Sequence, residues 1–295
     1  MKNRFSAYLA AVGTVLLWGM SYIWADRLLE LDIPVEFFVP VRTLLAGVLL
    51  FILNVIAGLE MKMRRKDIWL FALLSLCMPF VYFIAETYGL GLTESPTITS
   101  LVIATNPLFA MMAGIFIFKE KFGWKNILGV FVTLGGLWLV TWTQTSAGEH
   151  FFVGILVLFS AVICEVSQIA FTKSLSERYA PSVIVMYQFL IGAVFFIPLF
   201  LTKGIASFEP KLYFSWSVMY PTLSLALLCS ATAFSIWAYA IKHLGVARTS
   251  VFLAVVPLVT AVLSFLFGDE ILSLWQWGGL AIAMVGILMT QMKTT

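Results

Sequence analysis

Apolar side chains run along this chain in blocks of about 20, and each block ends at a short polar break. Crossing the hydrocarbon of a bilayer takes about 20 helical residues, so the pattern predicts transmembrane helices. Ten segments fit: 5–25, 35–58, 68–91, 95–118, 124–143, 152–172, 182–203, 215–240, 248–267 and 273–292. Several breaks are only a few residues long, which predicts antiparallel hairpins of neighbouring helices. No break is long enough for an extramembrane domain. The first segment is too long for a signal-peptide core and lacks a small-residue cleavage site, so it reads as a retained span.

Composition points the same way. Of the 295 residues, 61% are hydrophobic and only 11% charged, with a mean hydropathy of +1.00. Soluble domains carry about a quarter of their residues as charges. The net charge of +3 belongs to short loops and does not point to a nucleic-acid partner. Cys77, Cys164 and Cys229 all fall in predicted spans, an odd set that reads as packing rather than as disulfides or a zinc site.

The loops carry a direction. With the N-terminus inside, 14 Lys and Arg residues fall on the cytoplasmic side, among them the run Lys62, Arg64, Arg65 and Lys66. The outside receives Arg27, Lys203 and Lys211, and Arg42 lies within a span. Positive charge is retained on the cytoplasmic side, so both termini are expected there.

A shift of 150 residues aligns "SLVIATNPLFAMMAGIFIFKEK" (100–121) with "SVFLAVVPLVTAVLSFLFGDE" (250–270) without a gap. Thr99 meets Thr249, Ala104 meets Ala254, Pro107 meets Pro257 and Glu120 meets Glu270; Gly129 and Gly136 meet Gly279 and Gly286. Upstream, Ser21 pairs with Ser167, Arg27 with Lys173 and Gly47 with Gly192. The chain therefore divides into halves, 1–147 and 148–295, of five spans each. Five is odd, so the second half enters the membrane from the opposite face. The lysines beside Glu120 are missing beside Glu270, as expected if the two glutamates end their helices on opposite sides. Inverted repeats of this kind belong to secondary transporters, which bind substrate near the midplane where the repeats meet.

The pattern resembles the drug/metabolite transporter superfamily, in particular its ten-span bacterial exporters made of two EamA units. Trp18-Gly19, Arg42, Tyr88, the run from Pro107 to Glu120 and the glycines of span five carry the resemblance in the first unit. Tyr239, Pro257, Glu270, Gly279 and Gly286 carry it in the second. It implies an all-α integral membrane protein, ten transmembrane helices arranged as two inverted five-helix repeats around a central cavity. It also implies alternating access, mostly for export across the bacterial cytoplasmic (inner) membrane. Family substrates include amino acids, other metabolites, nucleotide-linked sugars and toxic compounds.

Ionisable side chains within spans are costly and usually face the protein interior. Arg42 and Glu86 lie ~8–10 Å below the outer surface at 1.5 Å per residue, a match that suggests an ion pair. Glu165 is deeper, and Gln168 and Thr172 extend it into one polar helix face. With no cation at its depth, Glu165 is the leading candidate for a coupling proton. Trp18 and Tyr22 share a face of span one, as do Tyr82 and Glu86 in span three. Span four offers Ser95, Thr99 and Asn106 on one stripe, and span eight offers Trp237. Aromatic walls with a few convergent polar groups suit a small amphipathic substrate. Glu120 and Glu270 read as structural helix-end residues, and Pro107 and Pro257 as kinks for packing or as part of a gate or binding surface.

No enzyme motif is present, and His150 and His243 are expected in loops on opposite sides. No cofactor, metal, nucleic acid or obligate protein partner is implied; the partners are the lipid bilayer, a small-molecule substrate and, as a coupling ion, protons. The expected function is export of small amphipathic metabolites, with amino acids or related compounds foremost. The alternative is a lipophilic-compound or multidrug exporter, or a lipid flippase, of the same fold.

Overall fold

The computed structural model describes residues 2–109, 111, 123–142, 150–205, 209–267 and 270–291. Seven of its helices are long and apolar enough to cross a membrane. They are Lys2–Glu30 (α1), Val35–Ile56 (α2), Arg65–Thr93 (α3), Trp124–Trp142 (α5), Phe151–Ser176 (α6), Pro181–Gly204 (α7) and Trp216–Leu244 (α8). Shorter apolar helices complete the set: Pro96–Ile103 (α4), Val246–Leu253 (α9), Val256–Phe267 (α10) and Leu274–Thr290 (α11). No strand occurs among the described residues. His243 departs from expectation, because it sits in the last turn of α8 with Nδ1 2.9 Å from the Tyr239 carbonyl oxygen. Glu120 lies outside the described residues.

Among the described residues, the most extensive helix pairings join the two halves of the chain. α1 packs on α8, α2 on α7, α3 on α6, α4 on α10 and α5 on α11. Glycine brings the last pair close. A Cβ on Gly136 would stand 2.6 Å from the Gly279 carbonyl oxygen, and one on Gly129 would stand 2.8 Å from that of Gly286. Small residues let helix backbones approach in this way where lipid offers no competing hydrophobic gain.

The helices are interrupted at matching places. α3 loosens into a wide π-type turn over Leu76–Val81, and α8 does the same over Leu225–Thr232. The turn in α3 contains Pro79, which has no N–H to offer the helix. A second matched pair of breaks lies at 104–105, after α4, and at 254–255, between α9 and α10. Each falls two or three residues before Pro107 or Pro257, so these prolines do interrupt their helices. Carbonyls at the wide turns find side-chain donors: Met78 O accepts from Gln188 Nε2 at 3.1 Å, and Cys229 O from Trp18 Nε1 at 3.3 Å. Lipid cannot satisfy such groups, so irregular backbone survives only where protein or a water-filled cavity covers it.

Candidate functional site

The interruptions surround a central cavity with about 570 Å³ of empty space, its mouth included. α1, α2, α3, α4, α6, α8 and the α9–α10 break each contribute to its wall. Seven of the nine sequence candidates line it: Trp18, Tyr22, Arg42, Tyr82, Glu86, Glu165 and Gln168. Residues separated by up to 150 positions thus meet in one chamber.

Arg42 is 3% exposed and donates from Nε to Ser230 Oγ at 3.2 Å, in the wide turn of α8. Its guanidinium carbon lies 3.9 Å from the centroid of the Phe83 ring, close enough for a cation–π contact. The expected ion pair with Glu86 is not made. Glu86 Oε1 instead accepts from Tyr82 Oη at 2.7 Å, one turn away on α3, and Tyr22 stands against the same pair. The charges of Arg42 and Glu86 still act on each other across the cavity. This arrangement leaves the cationic head over an aromatic face rather than locked to a carboxylate.

Glu165 occupies a different wall. It is 7% exposed, and its Oε2 is buried without a hydrogen-bond partner. Asn106 stands near enough to influence that carboxyl, yet hydrogen-bond geometry is not met and its Nδ2 is also unpartnered. Gln168 donates to Thr172 Oγ1 at 3.1 Å, so the polar face expected on α6 is present. Unsatisfied buried polar atoms are costly, so the carboxyl of Glu165, at the cavity wall, and the Asn106 amide are poorly satisfied by the protein itself.

Two candidates stand behind the wall rather than on it. Asn106 is buried beside Glu165 and does not line the cavity. Trp237 is 3% exposed and packs on Trp18 with ring centroids 5.2 Å apart. The wide turn just before it alters the helix register, and Phe234 takes the place on the cavity surface. The stripe of Ser95, Thr99 and Asn106 is likewise broken by the interruption at 104–105. Ser95 and Thr99 point into helix contacts instead, Ser95 to Glu270 and Thr99 to Thr93. Apolar lining residues such as Phe83, Ile103, Leu253 and Val256 carry no mark in a sequence this rich in similar side chains. Among the described residues, no group of three or more His, Cys, Asp or Glu side chains could hold a metal ion.

Comparison with known proteins places this architecture. The uncharacterized transporter YetK of Bacillus subtilis (strain 168) is 24% identical, across 99% of this chain and 89% of its own length. A probable terminal-alkyne amino-acid exporter of Streptantibioticus cattleyicolor is 28% identical, across 78% of this chain and 75% of its own. A solved crystal structure superposes with a TM-score of 0.69 at 17% identity, covering 97% of this chain and 95% of that one, and so shares the fold. These relatives are named as transporters, not enzymes. The model of the EamA-like transporter family matches twice, over residues 5–142 and 152–292, and the chain belongs to that family.

Proposed function

We propose that the protein is a secondary transporter that exports small amphipathic metabolites, amino acids or related compounds foremost, by alternating access. The observation that carries this reading is the pairing, in one cavity, of the Arg42 guanidinium with the unpartnered carboxyl oxygen of Glu165. A guanidinium and a carboxyl on separate walls suit the carboxylate and ammonium of a zwitterion. The rings of Trp18, Phe83 and Phe234 offer the apolar remainder of such a molecule a surface. The name of the Streptantibioticus relative supports amino acids as the first class to try.

The same proposal includes ten spans in two inverted repeats, residues 1–147 and 148–295. It is supported by the most extensive helix pairings, which cross the halves, and by the reciprocal contacts of Gly129 with Gly286 and Gly136 with Gly279. A two-fold relation in the membrane plane requires such reciprocity. Both termini are assigned to the cytoplasm of a bacterial cell on the Lys and Arg count. Protons are the proposed coupling ion, with Glu165 and then Glu86 as their sites.

Melting of the purified protein against amino acids, sugars, lipophilic cations and short-chain lipids tests the substrate class. A ligand at 100 times its Kd stabilises by about 2.7 kcal/mol. Shifts confined to a few amino acids are expected. Shifts given only by bulky cations or lipids would replace this reading with a multidrug exporter or flippase.

A further inference from the structure

Glu270 follows α10 in the second half, and its carboxylate reaches across to the first half. Oε1 accepts from the Ser95 hydroxyl, and Oε2 accepts from the Thr97 hydroxyl and, at 3.2 Å, from the Thr97 backbone N–H. These donors form the start of α4, where Ser95 is the N-cap, Pro96 the first helical residue and Thr97 the second. The first N–H groups of a helix have no partners within it, and the helix dipole favours negative charge there. Ser95 already caps Ile98 N at 3.1 Å, so the chain supplies its own local cap. The carboxylate from the other repeat is additional, and it ties the two repeats together.

The seam behind this contact is rich in hydroxyls. Between the cavity and Glu270, α4 and α10 carry the hydroxyl residues Thr97, Ser100, Thr260 and Ser264, each at most 1% exposed. Ser100 bonds to the Thr97 carbonyl and Thr260 to the Val256 carbonyl. Ser264 Oγ has no partner at all. Ser100 also lines the cavity, so the hydroxyls run from its wall to the Glu270 end. Ser100 and Thr260 suit close packing of the two helices in a closed state, whereas the unpartnered Ser264 hydroxyl would gain a partner if water entered the seam in another state. The second repeat lacks the matching donors, because Gly245 and Ala247 stand where Ser95 and Thr97 do in the first.

We propose that Glu270 is the latch of one cavity gate, closing the α4–α10 seam by capping α4 and releasing it when substrate passes at that end. By the charge count this end is extracellular, so the hydroxyl-lined seam is the exit path. Glu270 acts as a positioning residue in this role, since it does not touch the cavity.

The test needs no substrate, so its outcome is separable from the substrate class proposed above. A Ser264→Cys reporter is placed in a background with Cys77, Cys164 and Cys229 replaced by Ser, and labelled in intact cells with a membrane-impermeant maleimide. With Glu270 present the reporter is expected to stay protected. Glu270→Ala, and separately the pair Ser95→Ala with Thr97→Val, should raise its labelling roughly tenfold or more, the population shift expected when charge-assisted bonds holding one state are lost. A buried Ala46→Cys on α2 should stay protected throughout, which separates gate opening from unfolding. Continued protection of the Ser264→Cys reporter in the Ser95/Thr97 pair overturns the latch, as does equal labelling of both reporters in every variant.

Discussion

Arg42 Nε donates to Ser230 Oγ at 3.2 Å, joining α2 of the first repeat to the wide turn of α8 in the second. The bond fixes the position of a buried cation that no carboxylate neutralises directly. Its partner is a single hydroxyl at an irregular turn, and its other face is covered by the Phe83 ring. The cavity's guanidinium is thus held by two weak contacts from different helices, which under the proposed function leaves it to meet an anionic group of substrate.

Arg42→Ala is expected to abolish uptake of the best-binding amino acid into inverted vesicles, with little change in melting temperature. Arg42→Lys should not restore it, because a lysine ammonium cannot offer the planar fork or lie flat on Phe83. Radiotracer flux beside a melting curve checks both. Wild-type flux in Arg42→Ala would remove the carboxylate-binding role.

Glu165→Gln keeps the size of the side chain and removes its ability to carry a proton. Flux through this variant is expected to fall, because the ammonium contact is weakened, and what remains is expected to become insensitive to an imposed pH gradient. Glu86→Gln should reduce flux less, since Tyr82 already hydrogen-bonds that carboxyl. A normal gradient response in both variants would exclude these residues from coupling.

Gly136→Leu should destabilise the protein by about 1–3 kcal/mol or prevent its assembly, through overpacking of α5 against α11. An added Cβ there would stand 2.7 Å from the Ala283 Cα. Gly135→Leu, one residue away, meets open space within 4 Å and should be tolerated. Melting temperatures of the two variants side by side give the comparison.

Tyr88 donates to Glu36 Oε1 at 2.6 Å, whereas Lys203 reaches the same oxygen at 3.5 Å with its side chain 66% exposed. Tyr88→Phe should therefore cost about 1 kcal/mol. Lys203→Ala should cost almost nothing, as exposed ion pairs do. Thermal melts at matched detergent concentration would show the order, and the reverse order would mean that the ion pair holds this corner.

Much was legible from the chain alone, because lipid imposes simple rules. Long apolar blocks must be helices, since backbone groups have no other partner in hydrocarbon. The repeat was visible at Pro107 and Pro257 and at the paired glycines, residues that backbone geometry does not easily exchange. Buried ionisable groups stood out for their rarity, so Arg42, Glu86 and Glu165 could be named before their neighbours were known. The tertiary structure decided the partners. Arg42 met Ser230 and Phe83 rather than Glu86, and Trp237 fell behind Trp18, because wide turns in α3 and α8 altered the register that straight helices would have kept. Glu270 read as a helix end until α4 was seen beneath it, for hydrogen bonds across 175 positions depend on how the repeats pack. Hydrophobic pattern records which groups must be buried; only packing selects which of them face each other.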